Sequence, residues 1–350
     1  MVRRALLSSL AAGAIGLAAH AQAPSQQLPS AAPGAPDPFA WLEQIHGQRA
    51  MAWVAQQNAR TATVLEDDPR YAEFHREALA IFTAKDRIPT PQPTLLNGEV
   101  ANLWQDADHP HGLWRVTSAE DYRSADPHWR TLIDLDALSK AEGKSWFFKG
   151  ATCLPPEDRL CLVRLSDGGG DAVEVREFDL RAGAFVEGGF RFPRAKLDVA
   201  WLDADTVLLS TDFGPGTLTS SGYPFVVKTL KRGQSLDQAK EVFRGAPTDV
   251  RTAARVLRDA DGRITDVLIA HNVSFFQTVY LELQPDGATR RLDLPRKVDL
   301  YGELGGRLIL SINEDWPASA AHGAFRAGDL VGFDPKTGGA APATAYDSPR

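Results

Sequence analysis

The sequence predicts a mainly β protein, a β-propeller preceded by a short α-helical arm. From about residue 88 onward, short stretches alternate apolar and polar residues, as strands with one buried face do. Turn sequences separate these stretches, for example Asp-Gly-Gly-Gly at 167–170 and Pro-Asp-Gly at 285–287. Helix signals do not alternate with strand signals, which argues against a parallel α/β sheet, and the strands are too numerous for a sandwich.

A weak internal repeat favours the propeller among all-β folds. Four segments each have the pattern of an outer strand that ends in a turn: 129–136, 175–180, 280–283 and 330–335. Their spacing is irregular, and the largest gap has room for two units. Because a four-stranded blade takes about 40 to 50 residues, we expect residues 88–350 to supply about five or six blades.

The composition is that of a soluble globular protein with a sizeable core. The chain has 350 residues, of which 43% are hydrophobic and 24% charged, and its formal net charge is -7. The charge pattern shows neither a basic stripe for nucleic acid nor a polybasic patch for a membrane surface. Neither kind of partner is therefore expected.

The first 23 residues have the pattern of a secretory signal peptide. Arg3 and Arg4 precede a small apolar run at 5–19, and small-x-small cleavage patterns end at Ala21 and Ala23. The alternative is a membrane anchor, but a run of about 15 residues is shorter than the roughly 20 that a spanning helix needs. We expect an exported chain, periplasmic or secreted, without a membrane anchor after cleavage.

Residues 24–36 are rich in Ala, Pro, Ser and Gln and are expected to form a disordered linker. A helical arm is predicted for residues 37–87, because Asp37-Pro38 and Asp68-Pro69 are both helix-start signals. Three prolines between residues 88 and 93 then end the helical pattern. The apolar stripe of this arm needs a partner surface, and it includes Trp41, Ile45 and Trp53.

The two cysteines flank a turn sequence. Cys153 and Cys161 are separated by residues 154–160, Leu-Pro-Pro-Glu-Asp-Arg-Leu, which is typical of a β-hairpin. In an oxidising compartment we expect a disulfide that closes this loop. The alternatives are two unpaired buried thiols or, with less support, a metal site, for which ligand-spaced histidines are missing nearby.

A search for hydrolytic motifs assigns no catalytic, cofactor-binding or metal-binding residue. The nucleophile elbow Gly-x-Ser-x-Gly does not occur, and the nearest sequences, at 143–147 and 233–237, lack the second glycine. We interpret both as surface loops. His109 and His111 could hold a metal, but their spacing does not suit a helical ligand pair. The carboxylate clusters lie where turns and helix caps already require them.

The ordered motifs resemble those of the prolyl oligopeptidase family of serine peptidases. The sequence Asp-Pro-Phe-Ala-Trp-Leu-Glu at 37–43, followed by Trp53-Val54 and Gln57-Asn58, is similar to the opening of that family. Further matches occur in order at 112–115, 122–123, 129, 133–138, 166–171, 174–179, 201, 212–214, 222–224 and 227–228. The resemblance extends from Asp37 to at least residue 315, and its specificity lies in the order and spacing of the motifs.

The resemblance implies a seven-bladed propeller over an α/β-hydrolase domain, with an arm that packs on the hydrolase domain through Trp41, Ile45 and Trp53. It also implies that Cys153 and Cys161 form the hairpin pair of bacterial exported members. Family members act on short peptides, typically after proline, with a Ser/Asp/His triad that follows the propeller. We therefore expect an incomplete propeller that lacks the triad, needs no cofactor, gates substrate access and is inactive alone.

Two other hypotheses remain open. The predicted signal peptide and the absence of hydrolytic motifs are also consistent with a free-standing periplasmic propeller that binds a ligand or partner without catalysis. The scattered histidines and aspartates would suit a metal- or carboxylate-dependent hydrolase, for which no residue set is assigned.

Overall fold

A computed structural model describes residues 37–44, 46–91 and 98–343. The predicted signal peptide, the predicted linker and Ile45 lie outside the described residues. The chain divides into two compact units, Met1–Glu77 and Ala78–Arg350. Among the described helices, none is both long enough and apolar enough to cross a membrane.

Helices follow both of the Asp-Pro start signals. A 3-10 helix spans Ala40–Glu43, and two longer helices follow, α1 at Gln48–Glu66 and α2 at Tyr71–Phe82. The Asp37 carboxylate accepts a hydrogen bond from the Phe39 amide at 2.8 Å, and Asp68 accepts one from the Arg70 amide at 2.9 Å. The acidic side chains thus hold the chain in the turns that precede the helices.

The second unit contains five antiparallel sheets in the part of the chain that the structure describes. The first sheet consists of β1 (Glu99–Trp104), β2 (Leu113–Ser118) and β3 (Arg130–Asp134). The second consists of β4 (Trp146–Cys153), β5 (Leu160–Asp167), β6 (Val173–Asp179), β7 (Ala184–Phe185) and β8 (Arg191–Ala195). The third consists of β9 (Asp198–Asp203), β10 (Thr206–Ser210), β11 (Val226–Lys231) and β12 (Lys240–Arg244).

The last two sheets have four strands each. The fourth consists of β13 (Arg251–Arg258), β14 (Ile264–Ser274), β15 (Gln277–Leu283) and β16 (Thr289–Arg291). The fifth consists of β17 (Val298–Leu304), β18 (Arg307–Ile312), β19 (Leu330–Phe333) and β20 (Ala340–Pro342). Short 3-10 helices lie at Asp121–Arg123 and Leu236–Gln238. The mainly β character predicted from the alternating pattern is confirmed.

Each of the four apolar cores joins two consecutive sheets. Neighbouring residues of one strand belong to different cores, because successive side chains of a strand point to opposite faces. On β5, Val163 packs toward the first sheet and Leu162 toward the third. On β10, Leu209 packs toward the second sheet and Leu208 toward the fourth. This face-to-face succession of meandering sheets is the packing of propeller blades.

Hydrogen bonds connect the first strands of the second, third and fourth sheets. The Trp201 indole on β9 donates a hydrogen bond to the Thr152 carbonyl on β4 at 2.9 Å. The Arg258 guanidinium on β13 donates to the Trp201 carbonyl at 3.0 Å. First-strand edges therefore converge, as they do around the axis of a propeller.

One helix was missed by the strand pattern. Residues 129–136 were expected to form an outer strand ending in a turn, but β3 is followed directly by α3 at Leu135–Glu142. The Asp134 carboxylate caps this helix by accepting from the Ala137 amide at 2.9 Å, and Gly143 ends it in the left-handed conformation with φ of 64°. Eight residues are too few for a clear helical periodicity.

The cysteine pair lies across the hairpin of β4 and β5. Cys153 and Cys161 are directly opposite each other in the register, and their sulfur atoms form a disulfide. Cys161 is fully buried in the core shared by the first two sheets. The disulfide thus closes the hairpin end of β4 and β5.

Candidate functional site

A cavity of about 280 Å³ lies where the second, third and fourth sheets adjoin. We call it the charged pocket, and its charged side chains are Lys149, Arg164, Asp171, Lys196, Asp198 and Arg251. They come from β4, β5, the β5–β6 turn, the β8–β9 connection and the first residues of β9 and β13. The pocket therefore depends on the packing of three sheets and not on one segment of sequence.

A β-bulge on the first strand of the second sheet places one of these cations. The register of β4 against β5 leaves Lys149 and Gly150 together opposite the single residue Arg164. Gly150 has φ of 108°, a conformation that favours glycine over residues with a Cβ atom. Because a bulge redirects the side chains beside it, the bulge sets the direction in which Lys149 projects.

Arg164 is a half-buried cation with neutral hydrogen-bond partners. Its guanidinium donates to the Thr152 hydroxyl at 2.9 Å and to the Val199 carbonyl at 3.3 Å. Burial lowers the pKa of Arg164, and the nearby Arg255 cation also lowers it, while Asp198 opposes both effects. Among the described residues, no carboxylate lies within ion-pair distance of this guanidinium.

The two carboxylates of the pocket already have partners. Asp171 accepts a hydrogen bond from the Tyr223 hydroxyl at 2.8 Å, and it lies 3.9 Å from the Lys196 ammonium group. Asp198 lies 3.5 Å from the Arg251 guanidinium. The hydrogen bond to Asp171 raises the pKa of the Tyr223 phenol, so this hydroxyl acts as a donor at neutral pH.

A second polar cluster has the hydrogen-bond order of a catalytic triad. The Nδ1 atom of His111 lies 2.7 Å from Asp136 Oδ1, and its Nε2 atom lies 3.1 Å from the Ser145 hydroxyl. These residues come from the β1–β2 loop, from α3 and from the position immediately before β4. In a hydrolase, such an aspartate orients the histidine, and the histidine accepts the proton of the serine.

The backbone around Ser145 does not complete such a site. The Ser145 amide donates to the Asp167 carboxylate at 3.0 Å, and the Trp146 amide donates to the Ser139 hydroxyl at 2.9 Å. Neither amide is free to stabilise an oxyanion. Asp136 also accepts hydrogen bonds from the backbone amides of His111 and Gly112. We interpret the cluster as a clasp that fixes the β1–β2 loop on α3.

The two loop histidines contact different carboxylates. The His109 Nδ1 atom lies 3.0 Å from Asp106 Oδ1, whereas His111 contacts Asp136. Within residues 37–44, 46–91 and 98–343, no group of three His, Cys, Asp or Glu side chains could hold a metal ion. The alternative of a metal bound by this histidine pair thus gains no support from the geometry.

The arm carries exposed apolar surface. The rings of Trp41 and Trp53 form an edge-to-face pair with centroids 6.3 Å apart, and the Arg49 guanidinium lies 4.1 Å from the Trp41 ring centre. Trp53 remains 42% exposed in this arrangement. Further exposed apolar side chains on the two helices are Val64, Leu65, Phe74, Leu79, Ile81 and Phe82. The role of the arm in domain docking stays a prediction.

The sequence predicts neither the charged pocket nor the clasp, although His111 of the clasp stands out as one of two closely spaced histidines. The pocket residues are spread from 149 to 251, and the clasp joins residues 34 positions apart, so no local motif marks either group. The segment at 143–147, which contains Ser145, stands out in the sequence only as an incomplete match to the nucleophile elbow. The register shift beside Gly150 is the single local feature that marks the pocket, and it becomes visible only when the strands are paired.

Known proteins match most of the chain. The domain family described as "Prolyl oligopeptidase, N-terminal beta-propeller domain" matches residues 19–318. An uncharacterized peptidase, y4nA, of Sinorhizobium fredii is 46% identical over 312 residues, which cover 88% of this chain and 43% of that protein. An uncharacterized peptidase, RP174, of Rickettsia prowazekii is 27% identical over 303 residues, which cover 83% of this chain and 41% of that protein.

The fold matches a solved peptidase structure. A post-proline cleaving enzyme from Rickettsia typhi superimposes with a TM-score of 0.75 and 26% sequence identity, over 85% of this chain and 44% of that chain. The chain thus spans less than half the length of the curated relatives and of this structure. The resemblance inferred from the ordered motifs is confirmed, and this chain belongs to the prolyl oligopeptidase family, matching its N-terminal β-propeller domain.

Proposed function

We propose that this chain is the substrate-gating propeller of an exported serine endopeptidase that cleaves short peptides after proline. The family match over residues 19–318 carries the proposal. The 26% identity with a structure described as a post-proline cleaving enzyme supports the proline preference. The Ser/Asp/His triad is expected on an α/β-hydrolase domain of the same protein, and this chain is expected to be inactive without that domain.

The geometry supports a gating role more than a catalytic one. The converging first-strand edges border the charged pocket, so a peptide that approaches the axis of the sheets would meet several ionised side chains. The clasp of His111, Asp136 and Ser145 lacks free amide donors at its serine. The exposed apolar residues of the arm, such as Trp53, supply a surface that a hydrolase domain could cover.

A domain exchange tests the proposal. This chain replaces the matching segment of the Sinorhizobium fredii peptidase, and both the fusion and the isolated chain are assayed on Gly-Pro-4-nitroanilide and Gly-Ala-4-nitroanilide peptides. We expect the fusion to cleave only the proline substrate and the isolated chain to cleave neither. Proline cleavage by the isolated chain at rates similar to the fusion would overturn the proposal, as would equal cleavage of both substrates by a folded fusion.

Binding without catalysis is the second function that the test addresses. If the fusion elutes as a single folded species and cleaves neither substrate, the free-standing binding propeller replaces the peptidase proposal.

Export has its own test, in which residues 1–36 are placed before a reporter that folds only in an oxidising compartment. An active reporter supports export, and a reporter that stays inactive in the cytoplasm contradicts it.

A further inference from the structure

We propose that the charged pocket binds the carboxylate of a peptide, with Lys149 and Arg164 as the groups that recognise it. This inference rests on the proposed function, because it assigns part of the peptide contact to the propeller. The site would favour peptides that present a terminal or side-chain carboxylate near the axis of the sheets. It would therefore add a charge preference to the proline preference of the proposed peptidase.

The charge balance of the pocket carries the argument. Four cationic side chains face two carboxylates. Asp171 is engaged by Tyr223 and Lys196, and Asp198 lies beside Arg251. These contacts leave Lys149 and Arg164 without a carboxylate partner among the described residues. A half-buried guanidinium that has only neutral partners is poorly compensated, and an anionic ligand would supply the missing charge.

The local geometry suits a carboxylate. Two of the five N–H donors of Arg164 are engaged by protein oxygens, at the Thr152 hydroxyl and the Val199 carbonyl, so donors remain for a ligand. Lys149 projects from the bulge opposite Arg164 and is exposed, with freedom to approach the same ligand oxygens. A guanidinium fork beside a mobile ammonium group is a common way to hold a carboxylate in proteins.

The size of the pocket favours the end of a peptide over a whole ligand. Its volume of about 280 Å³ lies just below the roughly 300–1,000 Å³ typical of sites that enclose a complete small molecule. A chain terminus or one acidic side chain fits such a space. The rest of the peptide would extend along the converging first strands.

The test measures peptide binding to the full chain without cleavage. The probe is an octapeptide of Ala, Gly and Pro with an uncharged N-terminal fluorophore, prepared as the free acid and as the C-terminal amide. A third peptide is the amide with one internal Gly→Glu replacement. Fluorescence anisotropy at 50 mM and 500 mM NaCl gives the dissociation constants.

We expect the free acid, the glutamate peptide or both to bind about tenfold more tightly than the neutral amide at low salt. The difference should shrink at high salt, because screening weakens exposed charge contacts. Whichever acidic peptide binds tightly identifies the source of the carboxylate. Equal binding of all three peptides would overturn the inference, and so would full displacement of the peptide by inorganic phosphate at equal concentration, which would indicate a general anion site.

Two lysine variants make the test specific. Lys149→Met should weaken binding of the acidic peptide about fivefold, whereas Lys231→Met, at an exposed lysine of β11, should leave it unchanged. Circular dichroism melting must show that both variants fold like the parent chain. Unchanged affinity in a folded Lys149→Met variant would contradict the assignment. That failure would not affect proline cleavage by the fusion, so the proposed function would stand.

Discussion

The Nδ1 atom of His111 lies 2.7 Å from the Oδ1 atom of Asp136. The opposite side of the imidazole contacts the Ser145 hydroxyl at 3.1 Å, so three residues from three elements form one hydrogen-bonded chain. The same aspartate also accepts hydrogen bonds from the amides of His111 and Gly112. These hydrogen-bond partners distinguish two roles for the cluster, a structural clasp or a catalytic site with Ser145 as the nucleophile.

If the cluster is a clasp, Asp136 matters more for stability than Ser145. We expect Asp136→Ala to lower the free energy of unfolding by about 2 kcal/mol and Ser145→Ala by about 0.5–1 kcal/mol, because only the loss of the aspartate leaves partly buried amides unpaired. Urea denaturation measures both values. A fluorophosphonate probe should leave Ser145 unlabelled, and stoichiometric labelling that disappears in Ser145→Ala would show a nucleophile instead.

The disulfide between Cys153 and Cys161 should stabilise the chain by restricting its unfolded state. The two cysteines are eight positions apart. For a loop of this size, the loss of loop-closure entropy corresponds to about 2.5 kcal/mol. We expect a Cys153→Ser/Cys161→Ser variant to unfold at correspondingly lower urea concentration. Dithiothreitol should shift the parent chain in the same direction and leave the variant unchanged, and a parent unfolding curve insensitive to the reductant would contradict the role.

Local chemistry explains which parts of the fold could be predicted from the sequence. The Asp-Pro signals at 37 and 68 and the turn between the cysteines act within a few residues, so their structures follow from the residues themselves. The alternating pattern predicts β9 because its inward and outward faces differ in polarity. The structure of these segments can therefore be predicted without knowledge of contacts between residues distant in the sequence.

The functional groups depend on distant contacts and were missed. Arg164 has the pattern of an ordinary polar position of a strand, and its significance depends on Val199 and on the bulge at Lys149. Helix α3 was missed because tertiary packing and its caps, and not a long periodic stretch, support eight helical residues. The ordered motifs still identified the family, because their order and spacing along the chain are specific even where a single motif is not.

Two arginines contact the same carboxylate oxygen but differ in burial, and this gives a matched pair of variants. Arg176 and Arg191 each lie 2.8 Å from Glu174 Oε1, with side-chain exposures of 9% and 69%. The hydrogen bonds that Arg176 donates to the Glu142 carboxylate, together with the one it donates to Glu174, raise the pKa of Arg176 despite its burial.

We expect Arg176→Met to lower the free energy of unfolding by about 3 kcal/mol, because it leaves Glu174 buried beside fewer cations. Arg191→Met should cost less than about 1 kcal/mol, since exposed ion pairs contribute little. Chemical denaturation of the two variants under identical conditions gives the comparison. Equal effects would show that burial does not determine the strength of this network.

Asp106 should make stability depend on acid pH. Burial alone would raise the pKa of Asp106, but hydrogen bonds from the Trp104 indole, from His109 and from the Asp108 amide outweigh it and lower the pKa to about 2. The folded pKa thus lies below the unfolded value of about 3.9. The stabilisation is fully present above about pH 4 and is lost as the pH falls through about 2.

We therefore expect Asp106→Asn to unfold more easily than the parent at pH 5, with the difference shrinking at pH 3 and again at pH 2. Free energies of unfolding at the three pH values measure this change. Asp108→Asn is the control, because its carboxylate is 68% exposed in its ion pair with Lys85 and should contribute less than about 1 kcal/mol at each pH. A pH-independent effect of Asp106→Asn would contradict the assignment.

The most direct test of the gating account is the dependence of cleavage on peptide length. The fusion of this chain with the rest of the Sinorhizobium fredii peptidase is compared with that remaining part alone, the expected hydrolase segment. Both are assayed on an 8-residue and a 40-residue peptide that share one proline site. We predict that kcat/KM of the fusion falls at least about tenfold from the short to the long peptide, while the hydrolase segment shows little difference. Equal kcat/KM values for both peptides in a folded, active fusion would contradict the account.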